Sequence, residues 1–449
     1  MDNSINIPLL LENLKIKQLN EMQHAVIGAV DEHDEVVVLS NTGSGKTLAF
    51  LLPIIKRLDA DNKSPQALIM VPSRELALQI DEVFRKLGTS YKVTLCYGGH
   101  KREIEETNLI EAPALIIGTA GRLADHIRRK NFDVSTITTL VLDEFDKSLE
   151  LGFLEEMEFI LRSLKNVEKK ILTSATQATQ FPDFIQLKNP QTINFLTDGE
   201  EAANAALEVM TLHSPEKDKI NTLFNFLCYA NHRPCIVFCN HRDAVERVSQ
   251  HLVEKGLRVA YYHGGMEQRE RESELCLFKN GTSNILITTD LASRGLDIPG
   301  IRYIIHYHLP SSEDVFTHRN GRTARMHDFG TAIVLLSEEE HLPNYISGDV
   351  AEIEIPETNE IPLKTQWTTL HFSVGKKDKV NKIDIVGFLS QRGDLKKDDI
   401  GLVEVKDFYA FAAIRRSKAS DTLRLVQNEK IKNKKVKIVI ASSMVKMQN

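Results

Sequence analysis

Two short segments contain residue types suited to binding a nucleoside triphosphate, and the first runs Ser-Asn-Thr-Gly-Ser-Gly-Lys-Thr over residues 40–47. Gly43 and Gly45 allow the backbone to curl so that its N–H groups face phosphate oxygens. Lys46 places a positive charge near the β- and γ-phosphates, and the Thr47 hydroxyl is suited to ligate Mg²⁺. The predicted phosphate-binding residues are Thr42, Gly43, Ser44, Gly45, Lys46 and Thr47.

The second segment is Asp143-Glu144-Phe145-Asp146, which lies roughly a hundred residues further along the chain. Asp143 is suited to hold Mg²⁺ and Glu144 to orient an attacking water, the two carboxylate roles of a nucleotide hydrolase. Either motif alone, a glycine-rich loop or an acidic cluster, occurs by chance in many unrelated sequences. The two together, in this order and each after a strand, predict ATP hydrolysis catalysed by Lys46, Asp143 and Glu144.

An apolar run precedes each segment and must position it. Val36–Leu39 leads into the phosphate loop, Thr139–Leu142 leads into the acidic segment, and a helical pattern over Leu48–Leu58 follows the loop. Further elements are expected at the strands Ala67–Val71, Val93–Tyr97, Ala114–Gly118 and Lys170–Ser174 and at helices such as Arg74–Leu87. This alternation predicts βαβ units and a parallel sheet covered on both faces over residues 1–197.

A second alternating block covers residues 210–354, after a polar, Ala-rich linker at 198–209. Its expected strands are Cys235–Cys239, Arg258–Tyr262, Asn284–Thr288, Tyr303–Tyr307 and Thr331–Leu336. The block has no phosphate loop, so we expect a second, non-identical α/β domain. Ligands of such sheets bind beyond the carboxyl ends of the strands, and the two domains can therefore face each other across a cleft.

A small third domain is expected at residues 365–442, after an extended linker at 355–364 and before a tail at 443–449. Its elements are the strand Thr368–Val374, the helix Lys382–Gln391, the strands Leu402–Val405 and Tyr409–Ile414, the helix Ser417–Asn428 and the strand Lys435–Ile440. That βαββαβ order is the topology of the RNA-recognition motif. Residues 364–449 carry 19 Lys and Arg against 9 Asp and Glu, whereas the preceding residues carry 37 against 53. A basic module on an acidic body predicts a nucleic-acid anchor attached to an enzyme.

Chain length and composition limit the classes of protein to which this sequence can belong. A chain of 449 residues with 42% hydrophobic and 26% charged residues is typical of a soluble protein with two or three domains. No apolar stretch approaches the ~18 residues needed to span a bilayer, and the N-terminus lacks a signal-peptide pattern. The five cysteines are odd in number, and Cys235 and Cys239 lack zinc-finger spacing. We therefore expect a cytoplasmic monomer with free thiols and no membrane partner.

Further segments, in chain order, make residues ~15 to 345 similar to the DEAD-box RNA helicases of superfamily 2. Ser174-Ala175-Thr176 matches the coupling motif of that family, and His-Arg-Asn-Gly-Arg-Thr-Ala-Arg at 318–325 matches its arginine-finger motif. The resemblance implies two tandem RecA-like domains, ATP and Mg²⁺ as cofactors, and local opening of RNA duplexes. It assigns Gln23 to adenine, Gly295 and Asp297 to the rest of the nucleotide, Arg322 and Arg325 to the γ-phosphate, and Asp146, Ser174, Thr176 and His318 to coupling.

The same resemblance implies RNA contacts through phosphates and 2′-OH groups, which carry no sequence code. In the helicase region these residues are Pro72, Arg74, Gly99, Thr119, Arg122, Asn240, Gly265 and Thr289. The terminal region is similar to that of the DbpA/YxiN group, which anchors on a hairpin of large-subunit ribosomal RNA and acts in 50S assembly. The contacts expected there are Lys376, Lys377, Lys379, Tyr409, Lys434 and Lys435. Tyr409 and Phe411 alternate onto one sheet face, a pattern that base stacking and core packing both satisfy.

Three departures from the family pattern are visible. Ser40 replaces the first Gly of the phosphate loop, Phe145 replaces Ala in the acidic box, and no aromatic residue precedes Gln23. We expect the Phe145 side chain to point into the domain. The predicted function is an ATP-dependent RNA helicase that remodels ribosomal RNA, with pre-50S particles as partners. The alternatives are a general RNA chaperone, an ATP-gated RNA clamp with little turnover, and a DNA-acting helicase of superfamily 2.

Overall fold

The computed structural model describes residues 7–40, 43–99, 101–150, 152–175, 181–196, 207–290, 298, 300–323, 330–346, 350–356, 360–427 and 429–443. These residues form two compact units, the first ending at residue 196 and the second beginning at residue 207.

The first unit is built on a parallel sheet whose strand order among the described residues is β3-β4-β2-β5-β6-β1-β7. Its strands are β1 Glu35–Ser40, β2 Ala67–Val71, β3 Val93–Cys96, β4 Leu115–Thr119, β5 Thr139–Leu142, β6 Lys169–Ser174 and β7 Gln191–Phe195. Its helices are α1 Ile7–Asn13, α2 Glu21–Glu32, α3 Lys46–Arg57, α4 Arg74–Lys86, α5 Arg102–Ile110, α6 Ala120–Arg128, α7 Phe145–Glu150 and α8 Leu154–Ser163.

Both faces of this sheet are apolar, because alternate residues of each strand enter different cores. On β1, Val36 and Val38 pack in the core that contains α2, α3 and α4. Val37 and Leu39 pack in the opposite core, which contains α6 and α8. The expected sheet covered on both faces is therefore confirmed, and it holds the loops after β1 and β5 at one edge.

The second unit begins with another parallel sheet, of order β10-β11-β9-β12-β13-β8-β14 among the described residues. Its strands are β8 Leu207–Ser214, β9 Cys235–Cys239, β10 Ala260–Tyr262, β11 Ile285–Thr289, β12 Tyr303–His306, β13 Gly330–Ser337 and β14 Ala351–Glu352. Its helices are α9 Ile220–Ala230, α10 Arg242–Glu254, α11 Gln268–Lys279 and α12 Glu313–Asn320.

The terminal domain completes the second unit with an antiparallel sheet of order β16-β17-β15-β20. Its elements are β15 Trp367–Phe372, α13 Lys382–Gln391, β16 Ile400–Val405, β17 Ala410–Arg415, α14 Ala419–Val426, the hairpin of β18 Lys430–Ile431 with β19 Lys434–Lys435, and β20 Ile438–Ile440. The predicted βαββαβ order is confirmed.

Several elements differ from the sequence-based expectation. β8 begins at Leu207 and pairs with β13 along its length, so the segment 198–209 is not wholly a linker. β7 was not expected, because its side chains are mostly exposed and its pattern lacks an apolar run. The strand expected over Lys435–Ile440 is divided, because Lys432 and Asn433 have φ of 48° and 65° and close a hairpin before β20.

Within the described ranges, no helix combines the length and the apolar character needed to cross a membrane. All five cysteines lie in those ranges as buried, free thiols.

Candidate nucleotide and RNA sites

The phosphate loop connects β1 to α3, which is the strand–loop–helix arrangement that the sequence predicts. Gly45 has a φ of 91°, and a Cβ built on it would lie 2.5 Å from Gln23 Nε2. A side chain at this position would therefore be strained by both the backbone and a neighbour. The Lys46 ammonium is buried and donates to the carbonyl oxygen of Ser40 at the end of β1. Thr42 lies outside the described residues.

Gln23 joins α2 to this loop. Its Oε1 accepts from the backbone N–H of Asn20 at 2.9 Å, and its Nε2 donates to the carbonyl of Gly45 at 3.2 Å. Asn20 Nδ2 in turn donates to the carbonyl of Ser44 at 3.0 Å. An amide has two N–H donors and two carbonyl lone pairs, and within the part of the chain that the structure describes one of each remains to recognise the edge of a base.

The acidic segment begins directly after β5, and its first two carboxylates are buried. Burial, with the neighbouring carboxylate of Glu144, raises the pKa of Asp143 to about 6. Glu144 has a φ of 48°, an uncommon conformation for a side-chain-bearing residue and one that clusters at functional sites. Two adjacent carboxylates held out of water form a strongly negative site.

Thr173, at the adjoining end of β6, connects these two residues and was missed by the sequence analysis. Its hydroxyl donates to Asp143 Oδ1 and accepts from the backbone N–H of Glu144 at 3.0 Å. β5 pairs with β6 as far as Leu142 and Leu172, so the next position of each strand meets across the sheet edge. Only that register could have identified Thr173.

The charge of this site fits a divalent cation. Among the described residues, Oε2 of Glu144 is buried without a hydrogen-bond partner. The positive charge of Lys46 lowers the pKa of Asp143, but by less than burial and the Glu144 carboxylate raise it. A cation beside Asp143 would relieve the repulsion between the carboxylates, and hydroxyl and carboxylate oxygens are the ligands that Mg²⁺ prefers.

Phe145 points into the domain, as expected. Its side chain is 1% exposed and lies in the core with Met157 and Ile160, with its ring centroid 5.3 Å from that of Phe181. The Phe145 side chain therefore fills part of the core beneath the acidic box. Of the expected coupling residues, Asp146 follows on α7 and Ser174 is fully buried at the end of β6, whereas Thr176 lies outside the described residues.

The expected RNA-contacting residues of the first unit lie at the carboxyl ends of β2, β3 and β4, which are neighbours in the sheet. Arg74 begins α4 just after Pro72, and Thr119 precedes α6. Gly99, with a φ of 95°, lies so close to Arg74 that a Cβ would be 2.1 Å from the Arg74 Nη1. Residues distant in sequence are thus brought together at one edge.

Glu105 is a second residue that the sequence analysis missed. Its carboxylate is 1% exposed, pairs with Arg122 Nη1 at 2.8 Å and accepts from the backbone N–H of Tyr97 at 2.9 Å. It lies 2.6 Å from His126 Nε2, and the Asn131 amide nitrogen is 2.8 Å from Nδ1 of the same ring. The side chains of Cys96, Glu105 and His126 each offer one ligand atom, and these three atoms lie within 4.8 Å of one another, a spacing at which they could hold a metal ion. The Arg122 guanidinium already neutralises the Glu105 carboxylate. Glu105, itself held by His126, therefore fixes the position of the Arg122 side chain.

In the second unit, Arg319 organises the ends of β9, β11 and β12. Its buried guanidinium pairs with Asp290 through Nε at 2.5 Å and Nη2 at 2.8 Å. Nη2 also donates to Asn240 Oδ1 at 2.7 Å, and Nη1 donates to the carbonyl of His308 at 2.7 Å. Arg319 is therefore structural, and it fixes the side chain of Asn240, which was expected to contact RNA.

Most of the other predicted site residues of the second unit that the structure describes are buried. Arg322 is 4% exposed just after α12, His318 is buried on that helix, and Thr289 ends β11. The backbone N–H of Gly265 donates to His263 Nδ1 at 3.2 Å. Gly295, Asp297 and Arg325 lie outside the described residues.

The terminal domain collects exposed lysines from two distant segments. Lys376 and Lys377 lie in the 3₁₀ turn Lys376–Asp378, and the β18–β19 hairpin supplies others. Lys432 Nζ donates to the carbonyl of Lys379 at 2.6 Å, and Lys434 pairs with Asp378, so the hairpin and the turn are held together. We call this group the lysine edge; it comprises Lys376, Lys377, Lys379, Lys432, Lys434 and Lys435.

Tyr409 does not belong to this edge. Its hydroxyl donates to Glu272 Oε2 of α11 at 2.7 Å, and the Arg269 guanidinium lies 5.3 Å from the centre of its ring. The ring that was expected to contact RNA is thus half-buried against a helix of the preceding domain.

The sequence matches known families along most of its length. Residues 20–184 match the DEAD/DEAH box helicase model, residues 218–327 match the helicase conserved C-terminal domain, and residues 369–440 match the DbpA RNA binding domain.

Two curated relatives are similar over nearly the whole chain. The ATP-dependent RNA helicase DbpA of Bacillus subtilis is 30% identical over an alignment that covers 95% of this chain and 96% of the relative. The protein of the same name from Escherichia coli is 32% identical over an alignment that covers 95% of each chain. Among solved structures, Saccharomyces cerevisiae Dbp5 bound to RNA and ADP BeF3 is 26% identical with a TM-score of 0.68, over 77% of this chain and 93% of that one.

Proposed function

Because the chain belongs to the DEAD-box ATP-dependent RNA helicases of the DbpA type, we propose that it remodels ribosomal RNA during assembly of the large ribosomal subunit. The family activity is RNA-stimulated hydrolysis of ATP. The proposal adds an RNA target, and the feature that carries it is the lysine edge within a domain of the DbpA RNA-binding type.

In the proposed nucleotide site, the loop from Gly43 to Thr47 binds the phosphates and the amide of Gln23 recognises adenine. Mg²⁺ would be held by Asp143 and Thr47, and it would supply charge neutralisation at the phosphates. Glu144 orients the attacking water, since its Oε2 retains an unused acceptor in a buried site.

We further propose that Lys46, Arg322 and Arg325 stabilise the charge of the transferring phosphoryl group. Cations aimed at developing negative charge are the main source of rate acceleration in phosphoryl transfer. Asp146, Ser174, Thr176 and His318 would couple the nucleotide state to RNA affinity, and Gly295 and Asp297 would contact the nucleotide.

The RNA path proposed for the first unit follows the sheet edge that carries Pro72, Arg74, Gly99, Thr119 and Arg122, because guanidinium groups and helix starts suit phosphates. In the second unit Asn240, Gly265 and Thr289 would continue it. The terminal lysine edge would bind a hairpin by phosphate attraction.

The proposal is tested by the ATPase rate at one fixed salt concentration with ribosomal RNA, with an isolated large-subunit hairpin fragment and with unrelated RNA. We expect the ribosomal hairpin to stimulate hydrolysis at least ~10-fold more strongly than unrelated RNA at sub-saturating RNA, because proteins that bind DNA specifically prefer their site by roughly 10³-fold or more and a specific RNA anchor should show a preference in the same direction. Equal stimulation by every RNA would discard the ribosomal target and leave a general RNA-remodelling helicase. No stimulation by any RNA would favour an ATP-gated clamp.

A paired substitution tests the lysine edge. Lys376→Ala with Lys377→Ala should weaken hairpin binding and reduce the slope of log Kd against log salt by about 0.7–0.9 per lysine. The matched control is Lys396→Ala with Lys397→Ala, another exposed adjacent pair in the same domain. Equal effects of both pairs would show that the binding is non-specific.

A further inference from the structure

Exposed arginines lie at the amino-terminal edge of the second parallel sheet, opposite the edge that carries the predicted nucleotide and RNA residues of that unit. Arg258 precedes β10, Asn284 precedes β11 and Arg233 precedes β9, and these three strands are neighbours in the sheet. Asn284 Nδ2 donates to the carbonyl of His232 at 2.8 Å, and Ser283 Oγ donates to the carbonyl of Arg258 at 2.9 Å. The two arginines therefore start strands that are two strand spacings apart, about 10 Å.

The terminal domain adds two arginines beside this edge, Arg415 at the end of β17 and Arg416 directly after it. Arg416 is half-buried, and its Nε donates to the carbonyl of Thr365 at 2.6 Å. Thr365 Oγ1 in turn donates to the carbonyl of Thr282, which lies in the loop before β11, at 3.1 Å. Burial and the nearby charge of Arg258 both lower the pKa of Arg416, so two like charges lie close together here.

The positive charge of this surface is not neutralised by the protein itself. We call the surface the arginine edge; it comprises Arg233, Arg258, Arg415 and Arg416. In the part of the chain that the structure describes, no carboxylate forms an ion pair with any of these four guanidinium groups. Their hydrogen bonds go to uncharged groups instead, such as the Tyr303 hydroxyl, 2.7 Å from Arg233 Nη1, and Gln366 Oε1, 2.6 Å from Arg415 Nη1. Bound anions would relieve the repulsion between these cations.

The residue types favour the phosphates of RNA as those anions. A guanidinium group donates parallel hydrogen bonds to two phosphate oxygens, and its plane can stack on an unpaired base. The Arg415 guanidinium already lies over the ring of Trp367, 4.4 Å from its centre. Tyr229 is 42% exposed and is joined to the Arg233 side through the rings of Phe226 and Tyr303. Cations interleaved with aromatic rings are typical of surfaces that bind single-stranded nucleic acid.

We propose that the arginine edge is an additional binding surface for single-stranded RNA, separate from the lysine edge and from the predicted RNA path at the carboxyl ends of the strands. It contacts phosphates and stacks bases without reading their sequence. Because it lies at the opposite edge of the sheet from the predicted nucleotide residues, it binds RNA whether or not ATP is present. The inference rests on the RNA-dependent activity of the family and not on the ribosomal target.

The test measures binding of the full-length protein, without nucleotide, to a fluorescein-labelled single strand of mixed sequence by fluorescence anisotropy. The strand is about 20 nucleotides long, which exceeds the usual site size of one such surface. Arg233→Gln with Arg258→Gln should raise Kd roughly tenfold at low salt. The slope of log Kd against log salt should fall by about 1.4, which is 0.7 for each arginine that contacts a phosphate.

The matched control is Arg392→Gln with Arg424→Gln, which removes the same charge. Both control arginines are exposed, but each is paired with a carboxylate, Glu429 and Asp421 respectively. We expect this pair to change Kd less than ~2-fold, because its charges are already neutralised. Equal effects of the two pairs, or a salt slope that the Arg233 and Arg258 substitutions leave unchanged, would overturn the proposal. Displacement of the RNA by poly-glutamate at an equal concentration of charge would assign the surface to an acidic protein instead.

Photochemical cross-linking keeps the proposal testable if thermal unfolding shows that the paired variant is destabilised. The unmodified protein is irradiated with the same strand containing 4-thiouridine, and the cross-linked peptides are identified by mass spectrometry. Cross-links should include the peptides that carry Tyr229 and Arg258. Cross-links confined to the lysine edge and to the carboxyl ends of the strands would disprove an RNA surface here. Because the strand has no ribosomal sequence, neither result depends on the ribosomal assignment.

Discussion

At Asp143 and Glu144, one hydroxyl, that of Thr173, bonds to the carboxylate of the first residue and to the backbone N–H of the second. The hydroxyl donates to one acidic residue and satisfies the backbone of the other, which holds Glu144 in its left-handed conformation. The chemistry of Asp143 and Glu144 therefore depends on Thr173, a residue whose type alone indicates no function. The acidic motif is therefore a structural unit of at least three residues.

Thr173→Val keeps the shape of the side chain and removes the hydroxyl. It leaves the buried N–H of Glu144 without an acceptor, a loss of about 1–3 kcal/mol of stability. We expect RNA-stimulated ATP hydrolysis to fall at least ~10-fold, measured as kcat at saturating RNA. Thr173→Ser, which retains the hydroxyl, should recover most of the activity. Equal activities of the two variants would contradict the role of the hydrogen bonds.

Glu144→Gln removes the proposed base while preserving size and polarity. General-base catalysis contributes typically 10²–10⁴-fold to rate, so hydrolysis should fall by about that factor. ATP-dependent RNA binding, measured by fluorescence anisotropy, should be retained because the phosphate loop is unchanged. Hydrolysis at the unmodified rate would exclude Glu144 as the base.

At the scale of elements, parallel strands bring their carboxyl-end residues to one edge, and a few buried polar groups then fix the side chains there. Glu105 does this for Arg122, and Arg319 for Asn240. In both cases a charge that is costly to bury is stabilised by several hydrogen bonds. His306 on β12 belongs to the second network, where its Nε2 is 3.1 Å from Asn320 Oδ1 and its Nδ1 is 3.4 Å from Arg319 Nη1.

His306 makes the second unit sensitive to acid. Complete burial, with the facing Arg319 guanidinium, lowers the pKa of His306 to about 3 from an ordinary value of 6.5. The unfolded chain then binds more protons between these values, so the stabilising contribution is complete above pH 6.5 and is lost as the pH falls towards 3.

We expect the free energy of unfolding to decrease by up to about 1.4 kcal/mol per pH unit on this account, measured by urea titration from pH 7.5 to 4.5. His306→Gln should flatten this dependence, whereas the exposed His341→Gln serves as the control and should not. Parallel curves for the unmodified protein and His306→Gln would show that His306 does not cause the acid sensitivity.

At the scale of the whole molecule, the contacts of Tyr409 with Glu272 and Arg269 of α11 hold the RNA-anchoring domain against the second helicase domain. A flexibly tethered anchor raises the local concentration of RNA over a broad range of distances. A rigidly docked anchor instead presents RNA at one distance from the helicase domain that carries α11.

RNAs with single-stranded spacers of increasing length between the anchoring hairpin and a short duplex test this constraint. The unmodified protein should unwind best at one spacer length, with a decline of about tenfold when the spacer is much longer. Phe411→Asp should lower the maximum and broaden the dependence, and Phe408→Asp should preserve it. A flat dependence in the unmodified protein would show that the anchor acts only as a tether.

The sequence by itself determined the local features. Apolar periodicity identified most strands of both parallel sheets and the βαββαβ order of the terminal domain, because burial of one or both faces imposes a pattern on neighbouring residues. The loop at residues 40–47 and the acidic box at 143–146 were recognisable because each motif needs its residues at fixed short spacing. The inward orientation of Phe145 was expected and is confirmed.

Tertiary structure alone decided which distant residues meet. Thr173, Glu105 and Arg319 act through partners that follow other strands or lie on another helix, and no local pattern records a sheet register or a buried ion pair. The alternation of Tyr409 and Phe411 was equally compatible with stacking and packing, because both demand one apolar face. For Phe411 the tertiary structure decides in favour of packing, since its ring is 1% exposed and lies against Cys276 and Leu277, and a side chain buried against a helix is not open to RNA.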